Sequence, residues 1–122
     1  MPSKEIKEFA RKLVQEVRDR AVRASDLKLR PGSNTVTARR WRDAGVTEEA
    51  ARVVVSDAVD EALFALLNVI EQGIIPLHYV TDDGRVVDLA DEGMDELAGW
   101  YIGPEGWRHE HSKERFFDFV EP

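Results

Sequence analysis

The chain of 122 residues has no cysteine, which excludes a disulfide framework, a thiol nucleophile and any cysteine-ligated zinc or iron–sulfur centre. Long hydrophobic runs are also missing. None approaches the roughly 18 apolar residues of a membrane-spanning helix. The opening Met1-Pro2-Ser3-Lys4-Glu5 has charges where a secretory signal would have its apolar core, so no signal peptide is expected. No serine sits in a Gly-x-Ser-x-Gly elbow, and no glycine-rich loop has the spacing that cradles a nucleotide phosphate. Nucleophilic catalysis and familiar nucleotide folds therefore have no sequence support. The expectation is a cytoplasmic protein without membrane contact.

Charge is what the chain has in quantity, and it is lopsided. Residues 1–42 carry twelve bases against five acids, a net +7, while residues 43–122 carry five bases against nineteen acids, a net −14. In a single small domain the two segments are expected to pack together and neutralise each other.

Apolar spacing supplies the elements. Ile6, Phe9, Ala10, Leu13, Val17, Ala21 and Ala24 recur every three or four residues after a capping Ser3, which predicts a basic amphipathic helix over residues 1–24. Residues 25–46 read as a connector broken by Pro31-Gly32, followed by a short helix. Thr47, followed by Glu48 and Glu49, begins a central helix over 47–72 that ends at Gly73. Its main stripe is Val55, Ala58, Val59, Ala62, Leu63, Leu66, Val69 and Ile70; Val53, Phe64 and Leu67 interrupt the polar side. A helix apolar on both sides is expected to be covered on both. Asp82-Asp83-Gly84 between two β-rich runs predicts a hairpin over 74–89. The aromatic-rich part, 90–122, is expected to hold a helix over Asp91–Tyr101 and a last one, capped by Ser112, over Phe116–Val120. The fold class is a mostly helical α+β single domain: two long helices, a β-hairpin and two shorter C-terminal helices.

Four constellations are candidates for function. Asp57, Asp60 and Glu61 on the central helix, with Asp91 and Asp95 on the next, have the spacing to hold a divalent metal between two helices. That layout is similar in outline to the all-α nucleotide pyrophosphatases. Their paired glutamates and Glu-x-x-Asp have no counterpart here, so no family is assigned. His109 and His111 would share one side of an extended segment, with His78 as a third ligand. Arg39, Arg40 and Arg42 around Trp41 could grip an anion, although Trp41 is expected to be a core anchor and the pI of about 5.0 argues against nucleic acid. Phe64 and Leu67, with Trp100 and Trp107, would suit a protein partner. Phe64 and Leu67 are expected to be covered within the chain by the hairpin or by the Phe116–Val120 helix; a homodimer through another surface stays open.

Two function classes follow. The first is a small acidic non-catalytic protein-binding module of the inhibitor, antitoxin or immunity type, its acidic part meeting a basic target. The alternative is a metal-dependent hydrolase of a phosphorylated small molecule or nucleotide. A further alternative is nucleic-acid binding through the basic N-terminal segment. No cofactor is expected, and a divalent metal belongs only to the hydrolase alternative.

Overall fold

The computed structural model describes residues 2–118. A continuous helical rod opens the chain: α1 (Lys4–Lys12), a π-helical turn (Leu13–Arg18) and α2 (Asp19–Lys28). Ser3 caps it by accepting from the Ile6 amide. The rod extends past the expected end at Ala24, and its inward stripe is not the expected one. Ile6, Ala10 and Leu13 are buried as the spacing requires, but the stripe then runs through Val14, Arg18 and Val22, leaving Val17 49% exposed. The π turn is the cause. The amide of Asp19 reaches back five residues to the Val14 carbonyl, and this wider turn shifts the inward face by one position. Arg18, placed by the α-helical period on the solvent side, is thereby carried into the interior.

After the Pro31-Gly32 turn, α3 (Val36–Asp43) is capped by Thr35, whose hydroxyl accepts from the Ala38 amide. Gly45, at φ 83°, ends the turn after it, a left-handed position that suits a residue without Cβ. The longest helix, α4 (Glu48–Glu71), has the expected limits, with the Thr47 hydroxyl accepting from the Ala50 amide and Gly73 at φ 74° beyond its end. Its 24 residues span about 36 Å.

The hairpin pairs β1 (His78–Val80) with β2 (Val86–Asp88) antiparallel, Tyr79 opposite Val87. These strands are shorter than the expected 74–89, and Ile74 and Ile75 are exposed. The hairpin is held on α1 by Lys12–Asp82 and Glu5–Arg85 ion pairs, by a Tyr79 hydroxyl donating to Glu8, and by Tyr79 against the edge of Phe9.

The expected helix over Asp91–Tyr101 is two helices, α5 (Leu89–Gly93) and α6 (Leu97–Ile102). Met94 and Asp95, at φ 48° and 60°, break the helix between them. The reversal lets Leu97 pack onto Gly93, where a Cβ would meet Leu97 Cγ at 2.5 Å. Glu71, at the end of α4, accepts from the Ala98 amide and so holds the start of α6. A further helix, α7 (Trp107–His111), was not expected at all. Ser112 follows its end instead of starting a helix, and residues 112–118 contain none; Phe119 and Val120 lie outside the described residues. The core gathers Ile6, Leu13, Leu63, Leu67, Tyr101 and Trp107, among others, from the rod, α4, α6 and α7. The architecture is the mostly helical α+β domain read from the sequence.

Candidate functional site

The two faces of α4 have different fates, and each defines a site. At 100° per residue, Ser56, Asp60, Leu63, Leu67 and Ile70 share one side. All five are buried. Asp60, a candidate metal ligand by its spacing, is therefore inside, with no exposed surface.

Asp60 is the centre of a buried charge cluster. Arg18 donates through Nε to Oδ1 (2.9 Å) and through Nη2 to Oδ2 (3.3 Å). Arg108 Nη1 donates to Oδ2 at 2.9 Å, and the Tyr101 hydroxyl to Oδ1 at 2.6 Å. Four donors fill the roughly four lone-pair positions of a carboxylate. Asp19 completes the set: it accepts from Arg18 at 3.1 Å, from the Ser112 hydroxyl at 2.8 Å and from the Lys113 amide at 2.7 Å. Two guanidiniums thus face two carboxylates in the interior. Burial pushes the Tyr101 hydroxyl well above its usual pKa, and its bond to Asp60 adds to the shift. Burial is the largest single influence on the Arg18 charge and lowers its pKa, but the bonds to Asp60 and Asp19 and the Asp60 charge together outweigh it, so the pKa is raised.

A strap, residues 112–118, closes over this cluster. Arg18 also donates to the Arg115 carbonyl and Arg108 to the Phe117 carbonyl. The Phe116 ring lies 4.8 Å from the Arg108 guanidinium. Arg115 grips Asp26 with both terminal nitrogens, at 2.7 and 2.9 Å. With every Asp60 position used and no cluster atom open to substrate, the arrangement fastens α4, the rod, α6, α7 and the strap together.

The opposite face of α4 is apolar and open. Trp41, Ala44 and Val46, from α3 and the turn after it, form one wall of a groove of about 430 Å³. Ala50, Val54 and Ala58 form the other, with Ala51 and Val55 also lining it. Val54 is 62% exposed, and Ala58, Ala62 and Ala65 continue the exposed apolar strip along α4. The expectation that both sides of α4 are covered therefore holds for one side only. Trp41 is half-buried as a groove wall, not a core anchor.

The other sequence candidates separate. Asp57 and Glu61 sit on α4 away from Asp60, Asp91 and Asp95 are exposed on and after α5, and no group of three His, Cys, Asp or Glu among the described residues could hold a metal. His109 and His111 lie on a helix, about 200° apart. His109 pairs with Asp118 at 3.0 Å, and His78 lies on the hairpin near Asp88. Leu67 and Trp107 are buried, and Phe64 and Trp100 pack against the core, so these four form no docking face. Their cover comes from within the chain: α4 packs on α5 and α6, Leu67 shares one core cluster with Leu97 and Tyr101, and the hairpin's Tyr79 packs against the same cluster; residues 116–118 form no helix, and Phe119 and Val120 lie outside the described residues.

The charge segments do join: Lys12–Asp82, Arg18–Asp60, Arg23–Glu114, Glu5–Arg85 and Asp26–Arg115 all cross between them. Arg39, Arg40 and Arg42 on α3 are exposed and make no ion pair among the described residues; Arg39 donates to the Asn34 side chain and Arg42 to the Ser33 carbonyl. Sequence reasoning missed Arg18 and Arg108 as interior residues. The series Ile6, Ala10, Val14, Arg18, Val22, spaced by four throughout, was the available signal for Arg18. Compared with known proteins, the chain matches no family model, no curated protein and no solved structure. No helix among the described residues is long and apolar enough to cross a membrane.

Proposed function

We propose that the chain is a non-catalytic protein-binding module, the class to which inhibitors, antitoxins and immunity proteins belong, and that it docks a helix of a partner protein in the α3–α4 groove. One observation carries the reading: the outward face of the longest helix is an open apolar groove, on a domain whose buried Asp60 has all its acceptor positions taken by Arg18, Arg108 and Tyr101. Small-molecule sites combine an apolar lining with a few convergent polar groups. This groove has no polar side chain beyond the Trp41 indole N–H. Its walls are helices, its small alanines allow close approach, and the strip from Ala50 to Ala65 is about 22 Å long, enough for four turns of helix.

A photoreactive amino acid at Ala58, compared with one at the equally apolar and exposed Met94 on the far part of the chain, tests the proposal in extracts of the native host. The expected result is a saturable adduct at position 58 alone, competed by unlabelled wild type but not by Val54→Asp. No adduct, or equal and uncompeted adducts at both positions, would contradict it.

A further inference from the structure

Beyond that reading, we infer that a second hollow, between α3 and the connector that precedes it, binds the phosphate group of a small phosphorylated ligand. Leu29 and Pro31 give this hollow an apolar wall, and Arg30, Ser33, Asn34 and Arg42 give it polar groups. Its volume is about 450 Å³, within the roughly 300–1,000 Å³ of small-molecule sites. The apolar groove on the other side of α3 lacks this mixture of lining.

The charge around the hollow is of one sign. From residue 27 to residue 42 the sequence holds Lys28, Arg30, Arg39, Arg40 and Arg42 and no acid. An absent ion pair is not what marks these bases, because Lys4, Lys7 and Arg11 have none either among the described residues. What differs is the company on the wall. Lys7 lines a hollow with Glu105 and Glu110, and Arg52 lines one with Asp26 and Glu48. Among the described residues, no acid lines the hollow shared by Arg30 and Arg42. Arg30 also borders the Asp26 recess, but Asp26 is gripped by Arg115, and no described carboxylate lies within 4 Å of Arg30.

The hollow is shaped in advance of a ligand. Pro31 and Gly32 are the middle of a tight turn, with Gly32 at φ 88° and the Ser33 amide donating to the Arg30 carbonyl at 3.1 Å. Arg42 Nη1 donates to the Ser33 carbonyl at 2.7 Å, and Arg39 Nη1 to Asn34 Oδ1 at 3.4 Å. At 100° per residue, Arg39 and Arg42 share one side of α3, and Trp41 lies about 100–160° round the helix from them. Arg42 is thus fixed at one nitrogen with most of its five N–H donors unused, which lowers the ordering cost of binding. Two guanidiniums on one hollow repel each other until about two negative charges lie between them. A phosphomonoester carries that charge at pH 7, and a carboxylate does not. Nucleic acid fits less well. No aromatic ring among the lining residues offers a stacking platform, Trp41 faces the groove, and a net charge of −7 repels a polyanion.

The test is an NMR titration of the isotope-labelled full chain with inorganic phosphate, glycerol phosphate, glycerol and potassium chloride, the salts matched in ionic strength. Phosphate and glycerol phosphate are expected to shift the Gly32, Ser33 and Asn34 amides and the Arg42 Nε–H saturably at millimolar concentration, whereas glycerol and chloride should not. Arg30→Gln/Arg42→Gln should weaken glycerol phosphate at least about tenfold with the rest of the spectrum in place. Arg42→Lys, which keeps the charge and loses the planar fork, should weaken it by less. Val54→Asp in the groove and Lys7→Gln on α1 should leave it unchanged. No saturable shift in wild type, shifts that chloride reproduces, or shifts that survive in the double variant would each overturn the inference. Single-stranded RNA bound more tightly than glycerol phosphate, with the Trp41 indole resonance shifted, overturns it in favour of nucleic acid.

Discussion

Asp60 shows how one residue can be misplaced by pattern and explained by chemistry. An aspartate beside Asp57 and Glu61 on a long helix reads as part of a solvated acidic face. Inside the protein it is tolerable only because Arg18, Arg108 and Tyr101 supply four hydrogen bonds and opposing charge. Removing one partner of a buried ion pair leaves the other charge uncompensated, at a cost of about 3–5 kcal/mol. Asp60→Asn strands two guanidiniums at once and is expected at the upper end of that range in urea unfolding. Tyr101→Phe leaves one carboxylate position unfilled and should cost about 1–3 kcal/mol. Equal losses for the two variants would contradict the assignment of Asp60 as the centre of the cluster.

Asp26 has a different, pH-dependent role at the same scale. The Arg115 guanidinium beside it holds its carboxyl below the usual range, despite some opposing burial. A carboxylate with a depressed folded-state pKa stabilises the fold above the unfolded value, near 4, and loses that contribution as pH falls through the folded value. Asp26→Asn should therefore lower the melting temperature at pH 7. It should also flatten the acid limb below pH 4 relative to wild type, by thermal melts across the pH series. An acid limb of unchanged steepness would show that this pair does not fasten the strap.

Among the elements, those specified by local chemistry were legible and those specified by contact were not. Thr47 and Gly73 bound α4 because a capping hydroxyl and a left-handed glycine act within a turn of themselves. Gly84, at φ 89°, made the hairpin turn legible for the same reason. By contrast, the break at Met94–Asp95 places two non-glycine residues in the left-handed region, which packing of Leu97 and Tyr101 imposes and no local signal announces. The α7 helix, anchored by buried Trp107 and Arg108, is likewise held by distant partners. The groove was half legible: the apolar outward residues of α4 were visible, but that α3 leaves them open was not.

The π turn makes a prediction of its own. If it accommodates one residue more than an α-helix needs, then deleting the exposed Val17 should convert it to α-helix. Ile6, Ala10, Leu13, Arg18 and Val22 would stay on one side, because the remaining spacings fit 3.6 residues per turn. The deletion is expected to keep a cooperative melt within several degrees of wild type. Deleting the equally exposed Ala62 from α4 rotates its later core residues by about 100° and should abolish folding. Loss of folding in both would show that the π turn is not a one-residue insertion.

On the scale of the whole molecule, α4 serves as a partition. Its inward side joins the apolar core to the buried charge cluster, and its outward side, with α3, is left open. On the proposed reading this division separates stability from binding: Leu67→Asp should unfold the domain, whereas Val54→Asp should not. The most direct check is the adduct yield from a photoreactive residue at Ala58 in a Val54→Asp background, read together with the melting temperature of the same protein. The expected result is a melting temperature near that of wild type and loss of the adduct. An unchanged adduct from the folded variant, or a variant that fails to fold, would contradict the claim that the outward face of α4 is a binding surface.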